Sequence, residues 1–317
     1  MERVQSNTKV AGVDVGKLKL DVAVHGLEEQ IQVDNAPTGL SELVSWLKQR
    51  EVGRVGLEAT GGYERACRAR LEAEGFEVVV HQPIEVRLFA RLKRRRAKND
   101  RADAALIAAA TVQVDAVKAA QDPRLQELAE RLTAYEQITG QIVQLKTALE
   151  HATLKDIVTD LRGQLRSMAR LKKRIADGIL RRIKQEPDLL ERYKLLISLP
   201  GVGPVVAASL VIRMPELGSM RRGQAASLLG VAPFDRDSGQ CKGMRFIGGG
   251  RARPRKMLYL AAMAARRCDP DLKDFASRLS GRGKPPKVTI VALMRKLIEA
   301  ANIILSRGSP WERRVAT

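Results

Sequence analysis

Four acids and one serine stand where they could do chemistry. Asp14 lies inside the apolar run "KVAGVDV", and Glu58 ends another apolar run in "VGLEAT". A carboxylate in an otherwise apolar strand is expensive unless something pairs with it. Neighbouring backbone could cap either one alone, but two on strands expected to be neighbours call for a shared cation. Asp100 and Asp103, in "KNDRADAALIA", are three apart at the start of a helix, so both can point the same way. They also suit the positive end of a helix dipole, with no metal involved. As a set the four make a hard-oxygen cage suited to Mg²⁺ or Mn²⁺ and not to zinc. A site of that type activates an oxygen nucleophile and stabilises a leaving oxygen in phosphodiester chemistry. The serine is Ser238, in "FDRDSGQCKGMRFIGGGR", residues 234–251. Asp, Ser and Gly together are ordinary turn chemistry; the competing reading is a nucleophile held where a phosphate is offered to it.

The elements that must position the acids are legible from periodicity. "KVAGVDV" reads as a central strand buried on both faces. Leu18, Leu20, Val22 and Val24 then alternate with polar or small residues, the period of a half-exposed strand. "IQVDNAPTG" is a third strand and turn, and "LSELVSWLKQR" an amphipathic helix. "RVGLEAT" and "FEVVVHQP" are two more strands with a helix from about 63 to 74 between them, and a last helix carries "DRADAALIAAATV". The order β-β-β-α-β-α-β-α is a mixed α/β layer and matches a ribonuclease-H-like fold over residues 1–115. Residues 116–190 show no strand signal. Apolar residues from Leu125 to Leu149 and from Leu154 to Ile183 recur at three- and four-residue spacings, which predicts long paired helices of coiled-coil type, a spacer and oligomerisation arm. Gly140 and Gly163 argue against unbroken helices there. Residues 191–317 read as a mostly helical third domain, opening with "LISLPGVGPVVAASLV" and closing with "KVTIVALMRKLIEAANIIL".

Charge narrows the partner. Of the net +20, residues 191–317 contribute +15, with 24 Lys and Arg against 9 Asp and Glu. Counterion release favours a nucleic-acid partner for a segment so basic, over a ribosomal-type or membrane-surface role. Eight basic residues between Arg87 and Arg101, among them Arg94, Arg95, Arg96 and Lys98, read either as a solvated helix face or as a phosphate track beside the acids. In "LPGVGP", Gly201 and Gly203 resemble a helix-hairpin-helix turn whose backbone N–H groups can approach a phosphate; a Pro-Gly turn between core helices looks the same. Aromatics are only 3% of the chain, too few for a single-strand stacking platform. Three cysteines and three histidines lack disulfide or zinc spacing. No apolar run is long enough for a membrane span. The N-terminus reads without a leader, and a reducing bacterial-type cytoplasm is the expected compartment.

In order along the chain, "GVDVGKLKLDVAV", "GLEATGGYE", "AKNDRADAALIA", "LISLPGVGPVVAASLV", "LLGVAPFDRDSG" and "GGGRARPRKMLYLAAMAA" resemble the landmarks of the DEDD transposases of the insertion sequence one-ten family, which includes Piv-like invertases and bridge-RNA-guided recombinases. The resemblance covers essentially the whole chain. It implies a RuvC-like nuclease domain with metal ligands at Asp14, Glu58, Asp100 and Asp103, and a transposase domain whose nucleophilic serine is Ser238. It further implies dimers, synaptic tetramers, a non-coding guide RNA from the element flank, and double-stranded donor and target DNA. Arg236, Lys242, Arg245 and Arg251 could then hold the phosphate that Ser238 attacks. The expected reaction is a phosphoserine linkage to one DNA strand, then transfer through a Holliday-junction-like intermediate.

Rival readings differ in what they leave unexplained. A hydrolytic junction resolvase would use water and leave Ser238 in a turn. An actin-like or sugar-kinase ATPase would need a second phosphate loop, for which "LEATGG" is a poor substitute. A non-catalytic DNA-binding protein leaves four acids without a purpose.

Overall fold

The computed structural model describes residues 9–93, 100–115, 122–234 and 245–312, with the backbone alone for residues 100–102. The chain divides into two compact units, 1–121 and 122–317.

The first unit is built on a five-stranded sheet. Its elements are β1 (Lys9–Val15), β2 (Lys19–Val24), β3 (Gln30–Asp34), α1 (Pro37–Gln49), β4 (Val52–Glu58), α2 (Glu64–Ala73), β5 (Glu77–His81), α3 (Pro83–Leu92) and α4 (Asp100–Val112). The strand order is β3-β2-β1-β4-β5. The first three strands form an antiparallel meander, and β4 and β5 add parallel to β1. That order and those directions are the ribonuclease-H-like arrangement. All the expected elements are present, and an additional helix, α3, reaches into the start of the basic run.

Each face of the sheet has its own cover. Ala11, Val13, Val15, Leu20, Val22, Val55 and Leu57 form one core with Leu40, Leu43 and Leu47 of α1 and Cys67 and Leu71 of α2. Cys67 is so deeply enclosed that burial pushes its thiol pKa up to about 12, so it packs as a small apolar group. The opposite face carries α4, and it is made of small residues. A Cβ placed on Gly12 would sit 2.2 Å from both Ala104 O and Ala108 N of α4. One on Gly56 would sit 1.9 Å from Thr111 Oγ1. The two glycines therefore let an alanine-rich helix lie directly on the strands. The same helix covers Ala23 of β2, which is 1% exposed, so the half-exposed strand expected from alternation is partly enclosed on its second side. Leu18, expected on the inward side of that strand, sits in the turn before it, 74% exposed.

The second unit is helical. It comprises α5 (Pro123–His151), α6 (Lys155–Gln185), α7 (Pro187–Ile197), α8 (Pro204–Arg213), α9 (Gln224–Leu229), a two-residue ribbon of β6 (Pro233–Phe234) and β7 (Phe246–Ile247), then α10 (Ala252–Cys268), α11 (Pro270–Gly281) and α12 (Pro286–Arg307). Helices α5 and α6 run unbroken through Gly140 and Gly163 and pair antiparallel. Arg182 meets Glu127 at 3.1 Å, and Lys172 lies 5.0 Å above the Tyr135 ring. Leu125, Leu128 and Leu132 of α5, with Ile179 and Ile183 of α6, belong to the same core as α7 to α12. The proximal ends of the helix pair are thus part of the second unit's core. Arg124 fastens this end: its guanidinium bonds Asp122, Glu186 and Asp188.

Candidate active site

The two strand acids come together through register. Val13 of β1 pairs with Leu57 of β4, and Asp14 and Glu58 are the next residues on each strand. Side chains alternate along a strand, so Asp14 shares the face of Gly12, and Glu58 that of Gly56, the face on which α4 lies. Both are half-buried. The row continues across the sheet: Asp14 stands opposite Asp21 of β2, Asp21 opposite Gln32 of β3, and Glu58 opposite His81 of β5. One polar level therefore crosses all five strands of the sheet.

Helix α4 brings the third acid. It lies over β2, β1 and β4, with Ala104 and Ala108 at Gly12, and Ile107 and Thr111 at Gly56. Its first turn is thus on the β1 side, and Asp103, half-buried, immediately precedes Ala104. The helix begins at Asp100, whose side chain lies outside the described residues. The four candidate ligands, Asp14, Glu58, Asp100 and Asp103, are all carboxylates, which fits a hard divalent cation. Among the described residues, no group of three or more His, Cys, Asp and Glu side chains is assembled to hold a metal.

Neighbouring groups fix these ends in place, and pattern reading passed over them. Asn35 donates from one amide nitrogen to Gly16 O just past β1 (3.0 Å) and to Tyr63 O in the loop after β4 (3.2 Å). The Glu64 carboxylate accepts from the backbone N–H of Thr60 and Gly62, closing that loop. Gln32 donates to Asp21 at 2.9 Å and accepts from Lys19 at 2.9 Å. His81 is 5% exposed, and its Nε2 lies 2.8 Å from Thr111 Oγ1, which itself donates to Ile107 O at 2.7 Å. Since the threonine proton is committed to that carbonyl, His81 Nε2 carries the hydrogen and Nδ1 the lone pair. Burial lowers the His81 pKa, opposed by Glu85, whose carboxylate is 4.0 Å from Nδ1. The imidazole is thus a neutral pin between β5 and α4. A lone His at a strand end gave no periodic signal that could have identified it.

The serine segment is framed by the second unit. Ser238, with Arg236 and Lys242, lies outside the described residues, as do Arg94, Arg95, Arg96 and Lys98. The chain on either side of the segment forms the ribbon in which Phe234 pairs with Phe246. Below it, Arg255 donates to Gly249 O (2.6 Å) and Gly230 O (3.2 Å), and Arg251 N donates to Leu228 O (2.9 Å). The Arg251 guanidinium is held by Glu216, at 2.7 and 2.5 Å, and by Arg213 O at 2.6 Å. Arg251, expected to face a phosphate, thus has its guanidinium paired with Glu216. Arg245, exposed, immediately precedes β7.

The hairpin glycines divide. Gly201 has φ +73°, and a Cβ there would lie 2.4 Å from Ala261 O and Ala265 N of α10, so its bare face is turned to a helix. Gly203, at the N-terminus of α8, has open space around it.

Residues 11–159 match the DEDD transposase family model of the IS110 group, and residues 193–277 match "Transposase IS116/IS110/IS902 family". The chain belongs to the IS110 family of transposases. Along 96% of its length this transposase is 24% identical to the "Pilin gene-inverting protein" of Moraxella bovis, covering 98% of that protein, and equally so to that of Moraxella lacunata. An "Insertion element IS116 uncharacterized 44.8 kDa protein" of Streptomyces clavuligerus is 29% identical over 45% of this chain and 35% of its own. Among solved structures, Thermus thermophilus RuvC in complex with a Holliday junction substrate is 17% identical, covers 33% of the transposase and 92% of its own chain, and has a TM-score of 0.28. The fold assignment rests on the strand order and directions. As an IS110-family transposase, the protein is an enzyme of DNA recombination. Among the described residues no helix is long and apolar enough to cross a membrane.

Proposed function

We propose that the transposase exchanges DNA strands by serine attack on a phosphodiester, supported by a divalent cation. The observation that carries the reading is the level of Asp14 and Glu58 on adjacent strands, under a helix that begins at Asp100 and carries Asp103. Those four carboxylates would hold the cation, Mg²⁺ or Mn²⁺. Bound there, it would ease ionisation of an attacking oxygen and stabilise a leaving one.

The Ser238 hydroxyl would lose its proton as its oxygen bonds phosphorus, and a deoxyribose hydroxyl would leave with a proton. The DNA would then be linked to the protein as a phosphoserine diester. Attack by a deoxyribose hydroxyl of the partner strand would restore the serine and leave the strands joined across a Holliday-junction-like intermediate. Arg236, Lys242 and Arg245 are the basic residues that would hold the phosphate. Similarity to pilin gene-inverting proteins supports recombination without loss of DNA, since inversion must rejoin every end. Target choice by a non-coding RNA from the element flank, and assembly as dimer and synaptic tetramer, belong to the same reading. They rest on the family resemblance and on the basic second unit.

The test uses end-labelled DNA from an element junction, the flanking transcribed RNA, Mg²⁺ and purified protein, resolved on a denaturing gel. A protein-linked DNA band, lost in both Ser238→Ala and Asp14→Ala, is expected. Free cleaved DNA made equally by Ser238→Ala would instead identify a water-using resolvase in which the serine is a turn residue.

A further inference from the structure

Helix α10 presents two faces of opposite character. Pro254, Leu258, Ala261, Ala262 and Ala265 are buried, packed against α8, α9, α11 and α12. At 100° per residue, Arg253, Lys256, Leu260, Met263, Ala264 and Arg267 fall together on the other side, and all six are exposed. Leu260 is 61% and Met263 38% exposed. The stripe is basic at both ends and apolar in the middle, and α10 contains no acid along its length. Arg253 meets Glu136 at 3.6 Å. Lys256 and Arg267 have no acidic partner among the described residues.

We propose that this face of α10 is a docking surface for double-stranded DNA, seated in a groove without reading sequence. Charge complementarity selects a polyanion: the stripe belongs to the segment with 24 basic and 9 acidic residues. Arg267 lies eleven positions beyond Lys256, about 16 Å of helix at about 1.5 Å per residue. That reach brings a cation to phosphates on both sides of a B-DNA major groove about 12 Å wide. The apolar centre selects DNA over RNA. Leu260, Met263 and Ala264 offer no hydrogen bond to the 2′-hydroxyls that line an RNA duplex, whereas they suit the sugar edges of DNA. With no side-chain amide or hydroxyl at its centre, the stripe has nothing with which to tell one base pair from another. Its task is to hold duplex in place. The inference rests on the reading of this chain as a DNA strand-exchange enzyme and adds the surface on which the duplex lies.

The test is equilibrium binding of the full chain to a 5′-fluorescein DNA duplex of about 30 base pairs and arbitrary sequence, and to an RNA duplex of the same sequence, across a salt series. The variants are Lys256→Ala/Arg267→Ala, Leu260→Asp, and the control Lys284→Ala/Lys287→Ala, which removes two exposed cations, one from the loop before α12 and one from its first turn. All change exposed residues, and circular dichroism verifies the fold of each. Expected are a loss of DNA affinity of at least about tenfold for the first two at about 0.15 M salt, and a fall of about 2 in the salt slope for the double variant. The control should lose clearly less. Equal losses for control and stripe would mean that net charge alone sets the affinity and would overturn the proposal. Tighter binding of the RNA duplex, lost in the same variants, would overturn it in favour of an RNA surface. Ser238→Ala should bind as the parent does, so failure of strand transfer and failure of duplex binding are distinguishable.

Discussion

His81 shows how one side chain can matter to this fold without belonging to a motif. Its Nε2–H reaches Thr111 across the helix–sheet boundary at the level of Glu58, and burial favours the neutral ring. A His whose folded pKa is depressed binds its proton more readily unfolded. Stability is then full above the unfolded value of about 6.5 and is lost as pH falls below it. His81→Gln, which keeps a donor at the same reach and cannot titrate, should show a flatter decline in thermal midpoint between about pH 7.5 and 5 than the parent. His81→Leu should cost about 1 kcal/mol at neutral pH through the lost hydrogen bond. Identical pH slopes in parent and glutamine variant would remove the imidazole from this account. Asp21 shows the same limit of local reading: its strand was legible, but its place opposite Asp14 came from pairing.

Helix α4 is the element on which the candidate site depends, and its seat is made of absences. Gly12 and Gly56 leave no Cβ between helix and sheet, so their replacement must move the helix or the strands. Gly12→Ala should lower the stability of the first unit by at least about 2 kcal/mol, the upper range for overpacking. It should also weaken Mn²⁺ binding measured calorimetrically, because the first turn of α4 shifts against β1. A neutral outcome on both readings would mean that α4 lies further from the sheet than this packing implies. The alternating strands and the alanine-rich helix were legible locally because period and propensity are local. Which glycines face the helix was not, since a glycine in a strand reads alike whether it borders solvent or another backbone. Gly201 is the clearest instance: the hairpin was visible in "LPGVGP", while contact with α10, some 60 residues on, is what its bare face serves.

At the scale of the molecule, charge and architecture divide together. Residues 122–317 hold 37 Lys and Arg against 19 Asp and Glu, while residues 1–121 are nearly balanced at 19 against 17. Each unit has its own core. Expressed separately, 1–121 and 122–317 should each melt cooperatively. The second should bind duplex DNA the more tightly, with an affinity that falls steeply between about 0.05 and 0.2 M salt. Binding confined to the first fragment would place the DNA surface on the wrong unit. The sequence suggested three segments, because its pattern changes at 116 and 191. The contacts draw one division, since the proximal turns of α5 and α6 bury their leucines and isoleucines in the same core as α7 to α12.

By itself the sequence determined the inventory: five strands in their order, the long helix pair, the basic second half, and the acids in apolar strands and at a helix start. These follow from periodicity, composition and the cost of placing charge among apolar neighbours, which act over a few residues at a time. Only the tertiary structure decided that Asp14 and Glu58 stand at one level and that His81 pins β5 to α4. It likewise decided that the Arg251 guanidinium pairs with Glu216 and that α10 leaves a basic and apolar stripe uncovered. Those relations depend on register, helix seating and which face is buried, and each is set by residues far apart in the chain.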